Sequence, residues 1–159
     1  MGTGNSSRLN TIISILTVIA VVFFDRVTKI FFSNELSLGE SIPVIRNIFH
    51  CTLVHNTGIA FGLFKNQGIV FIIIPFIAVV LIAFNIYYHR NNTQVSRMYI
   101  VGFSLILAGA LGNLVDRLSF GYVIDFIDFR VWPVFNIADS AITIGTVLIL
   151  IKCIPSFAK

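Results

Sequence analysis

Four apolar segments of membrane-crossing length, joined by polar links, predict an all-α membrane protein with four transmembrane helices and a small surface β-structure. Composition supports that class. The 159 residues are 57% hydrophobic and 11% charged, with a mean hydropathy of +0.93, whereas soluble domains carry roughly 25% charged residues. Length supports it too: about 20 helical residues at ~1.5 Å each cross a ~30 Å bilayer core. One domain, residues 1–159, is the natural count.

The first span covers about residues 9–32 and is interrupted by Asp25, Arg26 and Lys29. It could pass for the apolar core of a signal peptide, but Phe23-Phe24-Asp25-Arg26 stands where small residues would mark cleavage. It therefore reads as an uncleaved span. Residues 1–6 fit the loose myristoylation pattern and read better as a polar leader. The second span covers about 68–88, with a kink expected at Pro75. The third covers 98–118 and the fourth 136–154.

Between the first two spans, residues 33–67 are too polar to cross. Their middle, 47–55, has the β-branched and aromatic content of a strand. A ribbon on the membrane surface is expected there, with Gly58 and Gly62 at turns or bulges. Residues 119–135 hold Phe120, Tyr122, Phe126, Phe129, Trp132 and Phe135, an aromatic content suited to a loop at the membrane–water interface. Trp132-Pro133 is expected to turn the chain into the fourth span.

Four spans put both termini and the link 89–97 on one side. That side carries Arg8, Arg90, Arg97, Lys152 and Lys159 and no acid. The other side carries Arg26, Lys29, Arg46, Lys65, Arg117, Arg130 and all seven acids. Counting Lys and Arg alone is nearly a tie. The termini are placed in the cytoplasm because several of the opposing cations sit inside motifs.

Several function classes drop out. A net charge of +4 without a basic stripe does not suit nucleic-acid binding. Cys51 and Cys153 form neither a disulfide framework nor a metal pattern. His50, His55 and His89 lack metal-ligand spacing and no His-Glu-x-x-His occurs, which argues against a metalloprotease. No nucleotide loop and no dinucleotide fingerprint occurs. Glu35 and Glu40 read as solvated loop charges.

Acids at the rim of apolar segments remain. Asp116, Asp125, Asp128 and Asp139 all fall within residues 109–139. A charge at the bilayer centre costs from ~2.5 to more than ~10 kcal/mol, so a chain that keeps carboxylates there uses them. Asn113, Asp116 and Arg117 share a helical face. A buried ion pair is the plain reading of the last two, and Asn113 either braces it or touches substrate. Gly109, Ala110 and Gly112 allow close helix approach. Asp125 and Asp139 are the pair expected to meet, since fourteen residues with a proline turn separate them, and Asn136 shares a face with Asp139. Two carboxylates in one apolar site cannot both ionise, which yields a general base and a general acid. The alternative is that each is separately hydrogen-bonded, Asp139 to first-turn amides of its helix. Asp128 rivals Asp125, although Arg130 suggests a surface pair. Asp25 and Lys29, at i and i+4, suit a helix-end salt bridge. Lys29 as the base of a Ser–Lys dyad lacks a serine in a distinctive context.

The blocks Asp25-Arg-Val-Thr-Lys29, Asn56-Thr-Gly58-Ile-Ala-Phe61, Gly109-Ala-Leu-Gly-Asn-Leu-Val-Asp-Arg117, Val123-Ile-Asp-Phe126 and Phe135-Asn-Ile-Ala-Asp139 together resemble the bacterial lipoprotein signal peptidases (signal peptidase II). Five blocks in order over nearly the whole chain make the resemblance specific. It implies an intramembrane aspartyl endopeptidase of the bacterial plasma membrane. Such an enzyme cleaves diacylglyceryl-modified prolipoproteins just before the lipidated cysteine. The resemblance puts the catalytic aspartates on Asp125 and Asp139. It assigns supporting, substrate-binding or globomycin-binding roles to Asp25, Lys29, Asn56, Gly58, Asn113, Asp116, Arg117 and Asn136. It also implies an extracytoplasmic β-cradle at about 40–64, an active site near that face, cytoplasmic termini, a monomer in contact with membrane lipid, and no metal or cofactor. Ala108 stands where many relatives have a third glycine. The competing classes are a small proton-coupled transporter built on the same carboxylates, which would often show an internal repeat, and a structural assembly factor.

Overall fold

A computed structural model describes residues 3–58, 69–92 and 95–153. The order of elements is α1 (Thr3–Glu35), β1 (Ser41–Ile45), β2 (Phe49–Asn56), α2 (Val70–His89), α3 (Arg97–Phe120), β3 (Val123–Asp128) and α4 (Ile137–Cys153). Three helical stretches, Ser7–Glu35, Val70–His89 and Arg97–Phe120, are long and apolar enough to cross a membrane. α4 has 17 residues, about 25 Å at 1.5 Å per residue. The expected end of the fourth span at residue 154, residues 1–2 of the expected leader, and residues 59–68 with Gly62 and Lys65 lie outside the described residues, while residues 3–6 of that leader are helical and belong to α1.

The packing is apolar outside and polar inside. Leu16, Ile19, Phe23, Phe24, Leu81 and Phe84 are each more than half exposed, whereas Asn10, Asp25, Lys29, Ser104, Asn113 and Asp116 are buried. Water would penalise such an arrangement and hydrocarbon favours it.

α3 is the central post and packs against all three other helices. Small residues let the partners in. A Cβ on Gly109 would stand 2.2 Å from the Ala138 carbonyl oxygen, and one on Gly145 would stand 2.5 Å from the Gly102 carbonyl oxygen. A Cβ on Gly112 would stand 2.7 Å from an Asp25 carboxylate oxygen. α3 starts at Ser96, whose hydroxyl accepts from the Tyr99 amide at 3.3 Å. It stops at Gly121, whose φ of +82° is a left-handed conformation that glycine adopts without a Cβ clash. The chain turns there and enters β3 directly. α2 continues through Pro75.

The sheet has the order β1-β2-β3, antiparallel throughout. β1 and β2 fall within the expected cradle at 40–64. β3 corrects the expectation for 119–135, where the sequence reads as an aromatic interfacial loop. Val123 to Asp128 instead pairs with β2, Val54 opposite Asp125 and Asn56 opposite Val123. Nearly all of β3 is buried, so its sequence lacks the alternation of a half-exposed strand. One face rests on the end of α1, where Leu36, Leu53 and Ile124 form a core with Phe32, Cys51 and Tyr122. Phe32 stacks on Phe126 at 4.4 Å. At the far end of the bundle, the Asn10 amide donates to the Arg90 carbonyl at 3.2 Å, and Ser7 bonds Asn91.

Because Gly109 meets the backbone beside Asp139, Gly109→Ala is expected to force α3 and α4 apart. The expected loss is about 1–3 kcal/mol, read as a lower unfolding midpoint in detergent; an unchanged midpoint would mean the contact is slack.

Candidate active site

One lysine ties α1 to α3. Lys29 on α1 is fully buried. Its Nζ lies 2.7 Å from Asp116 Oδ2 and 3.2 Å from Asn113 Oδ1. It is 2.8 Å from Asp25 Oδ2, an ion pair without hydrogen-bond geometry. Asp116 also takes Arg26 Nη1 at 2.7 Å and the Ile124 amide at 3.2 Å. Asp116 thus finds its cations across the bundle on α1, and not in Arg117 next to it. Asp25 accepts the Ala138 amide at 2.9 Å, which binds the first turn of α4 to α1.

Asn136 connects this ionic cluster to the carboxylates. It is buried just before α4. Its Oδ1 accepts the Asp139 amide at 2.9 Å, while its own amide donates to Asp139 Oδ2 at 3.3 Å. This reciprocal cap satisfies the first turn of α4. The Asn136 side-chain NH₂ reaches Asp125 Oδ1 at 2.7 Å, Asn113 Oδ1 at 3.1 Å and the Ile124 carbonyl at 3.2 Å. The Asn113 NH₂ in turn donates to Asp139 Oδ1 at 2.7 Å. Asp125 and Asp139 are therefore joined through two amide side chains.

The two carboxyls sit in different surroundings. Asp125 is buried on β3, where Asn56 donates to its Oδ2 at 2.9 Å. Asn56 is held by the Gly58 amide at 2.9 Å, and Gly58 has a φ of +77° with the Phe71 ring where a Cβ would go. Burial pushes Asp125 up to about 6, with the Asp139 charge adding to the rise and the Asn56 and Asn136 hydrogen bonds opposing it. Asp139 is half-buried and lines a cavity of about 440 Å³ with Trp132, Phe135, Ser140, Thr143 and Ile144. The Ser140 and Thr143 hydroxyls donate to carbonyls of their own helix turn, so this wall presents hydrocarbon. Two unequal carboxyls, one of them lining an apolar cavity, can act as an acid–base pair.

Asp128 lies outside this network. It pairs with Arg130 at 2.9 Å and accepts from Thr52 at 2.7 Å. Burial raises Asp128, but the Thr52 and Arg130 hydrogen bonds outweigh it and hold the carboxyl below its usual range. Arg117 is half-buried beside Thr57, Phe71, Ile72 and Gly121; the charges acting on it are those of Asp139, Asp125 and Asp116, in that order. Sequence reasoning did not assign Arg26, the Ile124 amide or the Ala138 amide to the site. Their partners lie up to 113 positions away, and no local spacing signals them. Among the described residues, no cluster of three or more His, Cys, Asp or Glu side chains is placed to hold a metal ion.

A family model described as signal peptidase (SPase) II matches residues 17–155. The lipoprotein signal peptidase of Halothermothrix orenii is 44% identical over 136 residues, 86% of this chain and 91% of that protein. That of Clostridioides difficile is 44% identical over 139 residues, 86% of this chain and 91% of that protein. A solved bacterial membrane enzyme at 37% identity has a TM-score of 0.80, covering 90% of this chain and 93% of that one.

Lys29→Met strands Asp25 in the interior and strips Asp116 of one cation, so a loss of about 3–5 kcal/mol is expected. Arg26→Ala, at a side chain 27% exposed, should cost clearly less; equal losses in thermal unfolding would contradict the ranking. Asp125, raised from 3.8 to about 6, holds its proton more tightly folded than unfolded. Its contribution to stability is complete below about pH 4 and lost as pH rises through about 6. Against non-titrating Asp125→Asn, the wild type should lose about 2–3 kcal/mol of relative stability between pH 4 and 7. A flat difference would show that the carboxyl ionises as an exposed one does.

Proposed function

The chain belongs to the signal peptidase II family, and from that premise we propose that it is an aspartic endopeptidase that removes signal peptides from diacylglyceryl-modified bacterial prolipoproteins, cutting just before the lipidated cysteine. The observation that carries this reading is the pair Asp125 and Asp139, bridged by Asn136 and Asn113 at the edge of an apolar cavity.

The dyad carries one proton between its two carboxyls. Burial favours it on Asp125. Asp139, facing the cavity, takes a proton from water as the water oxygen attacks the scissile carbonyl. The Asp125 proton passes to the carbonyl oxygen, giving a neutral gem-diol. Asp139 then returns its proton to the amide nitrogen and Asp125 reclaims one from a gem-diol hydroxyl as the C–N bond breaks. No covalent acyl-enzyme forms, and no metal or cofactor takes part.

The remaining residues hold this geometry or meet substrate. Asp25, Lys29 and Asp116 fix the helices; Asn56, Gly58, Asn113 and Asn136 set the carboxylates; Arg117 contacts substrate near the sheet. The whole chain forms one domain with four spans in the bacterial inner membrane. Both termini are cytoplasmic, and the dyad and cradle sit toward the extracytoplasmic face. The enzyme acts as a monomer, the lipid chains of the substrate lie along the apolar outside of the bundle, and globomycin occupies the same site.

The test uses purified wild type, Asp125→Asn, Asp139→Asn and Asp128→Asn with a diacylglyceryl-modified prolipoprotein, scored by the shortened product on a gel. The first two variants should lose about 10²–10⁴ of the rate while Asp128→Asn keeps most of it. Activity in Asp125→Asn together with loss in Asp128→Asn would move the dyad to Asp128.

A further inference from the structure

α1 and α2 both pack on α3, and the space between them is a cleft of about 280 Å³. Its walls include Ser14, Val18 and Ile19 of α1, Ala83 and Ile86 of α2, and Leu107 of α3. It lies at the end of the bundle opposite the carboxylates. We propose that this cleft binds one anionic phospholipid of the leaflet at the chain-terminal end, with an acyl chain in the cleft and the phosphate among Arg8, Arg90 and Arg97.

Depth is the first argument. The Asn10–Arg90 hydrogen bond marks the membrane surface at this end. Next to it stand exposed Tyr87 and Tyr88, and the Arg90 guanidinium lies 3.6 Å over the Tyr87 ring. Tyrosine and arginine gather at that level of a bilayer. Ser14 and Ile86 are one turn deeper, about 6 Å, and Ile19 is about 13 Å deeper at 1.5 Å per residue. The cleft thus runs through about one leaflet, half of a ~30 Å core. A helix of about 10 Å diameter is too wide for 280 Å³, whereas an acyl chain enters it.

Polarity is the second. Ser14 is 8% exposed and its hydroxyl has no partner, although a helical serine can donate to its own preceding turn. One turn below the surface is the depth of the glycerol ester groups. A rotation about χ1 brings the hydroxyl to an ester carbonyl there. Charge is the third: this end of the bundle holds Arg8, Arg90, Arg97 and Lys152 and no acid, which suits an anionic headgroup.

The experiment is native mass spectrometry of the full chain in detergent, offered equal amounts of phosphatidylglycerol and phosphatidylethanolamine. Wild type should retain one phosphatidylglycerol several-fold over phosphatidylethanolamine. Ser14→Leu, which fills the cleft, and Arg90→Gln, which keeps the Asn10 acceptor, should each remove that preference. Equal retention of the two lipids by wild type overturns the proposal, and so does wild-type retention in Arg90→Gln. A dimer peak that disappears in Ser14→Leu would assign the cleft to a second copy and overturn it equally. If Ser14→Leu fails to fold, Arg90→Gln decides alone, since its side chain stands at the end of the bundle.

Discussion

The structure depends on a lysine charge that has no access to water. Moving such a group out of water costs several kcal/mol unless anions surround it, and Lys29 meets Asp25 and Asp116 within 2.8 Å. Both carboxylates also accept from the backbone: Asp116 takes the Ile124 amide of β3 on the oxygen that meets Lys29, its other oxygen going to Arg26, and Asp25 takes the Ala138 amide of α4 on its other oxygen. The neighbour of each of those amides carries a carboxylate of the proposed dyad. The ionic cluster therefore fixes the separation of Asp125 and Asp139 without touching either, since the helix and the strand that bear them are both held to it.

The start of α4 does two jobs with one set of groups. A helix N-terminus needs acceptors for its free amides, and Asn136, Asp139 and Asp25 supply them. Asp139 caps the helix with one oxygen and accepts from Asn113 with the other. The capping and dyad readings of Asp139 are compatible.

The helices were legible because hydropathy and length speak directly to a bilayer. α1 runs past the expected 9–32 at both ends; at its start Ser7 finds a partner on the α2–α3 link, a tertiary contact that local composition does not carry. Asp25–Lys29 was legible as an i, i+4 pair. Its role as the junction of three helices and a strand was not, since Asp116 lies far along the chain. β3 was missed for a physical reason: buried on both sides, Val-Ile-Asp-Phe-Ile-Asp shows neither alternation nor turn residues within it. That the chain places Asp125 on a strand, paired with Val54, makes the sheet a part of the candidate site and not only its cover.

The order in which the chain is made bears on the Asp25–Lys29 pair. α1 leaves the ribosome long before Asp116 exists, yet its apolar stretch already carries Asp25, Arg26 and Lys29. Because Asp25 and Lys29 stand one turn apart, they neutralise each other within α1 and need no partner helix. Of those three, Arg26, part-exposed even in the finished fold, is then the one left uncompensated, and its long stem lets the guanidinium reach the headgroups. When α3 arrives, Asp116 closes on both cations at once. The same local pair that shapes the interior also lets the first helix wait in the membrane for the rest.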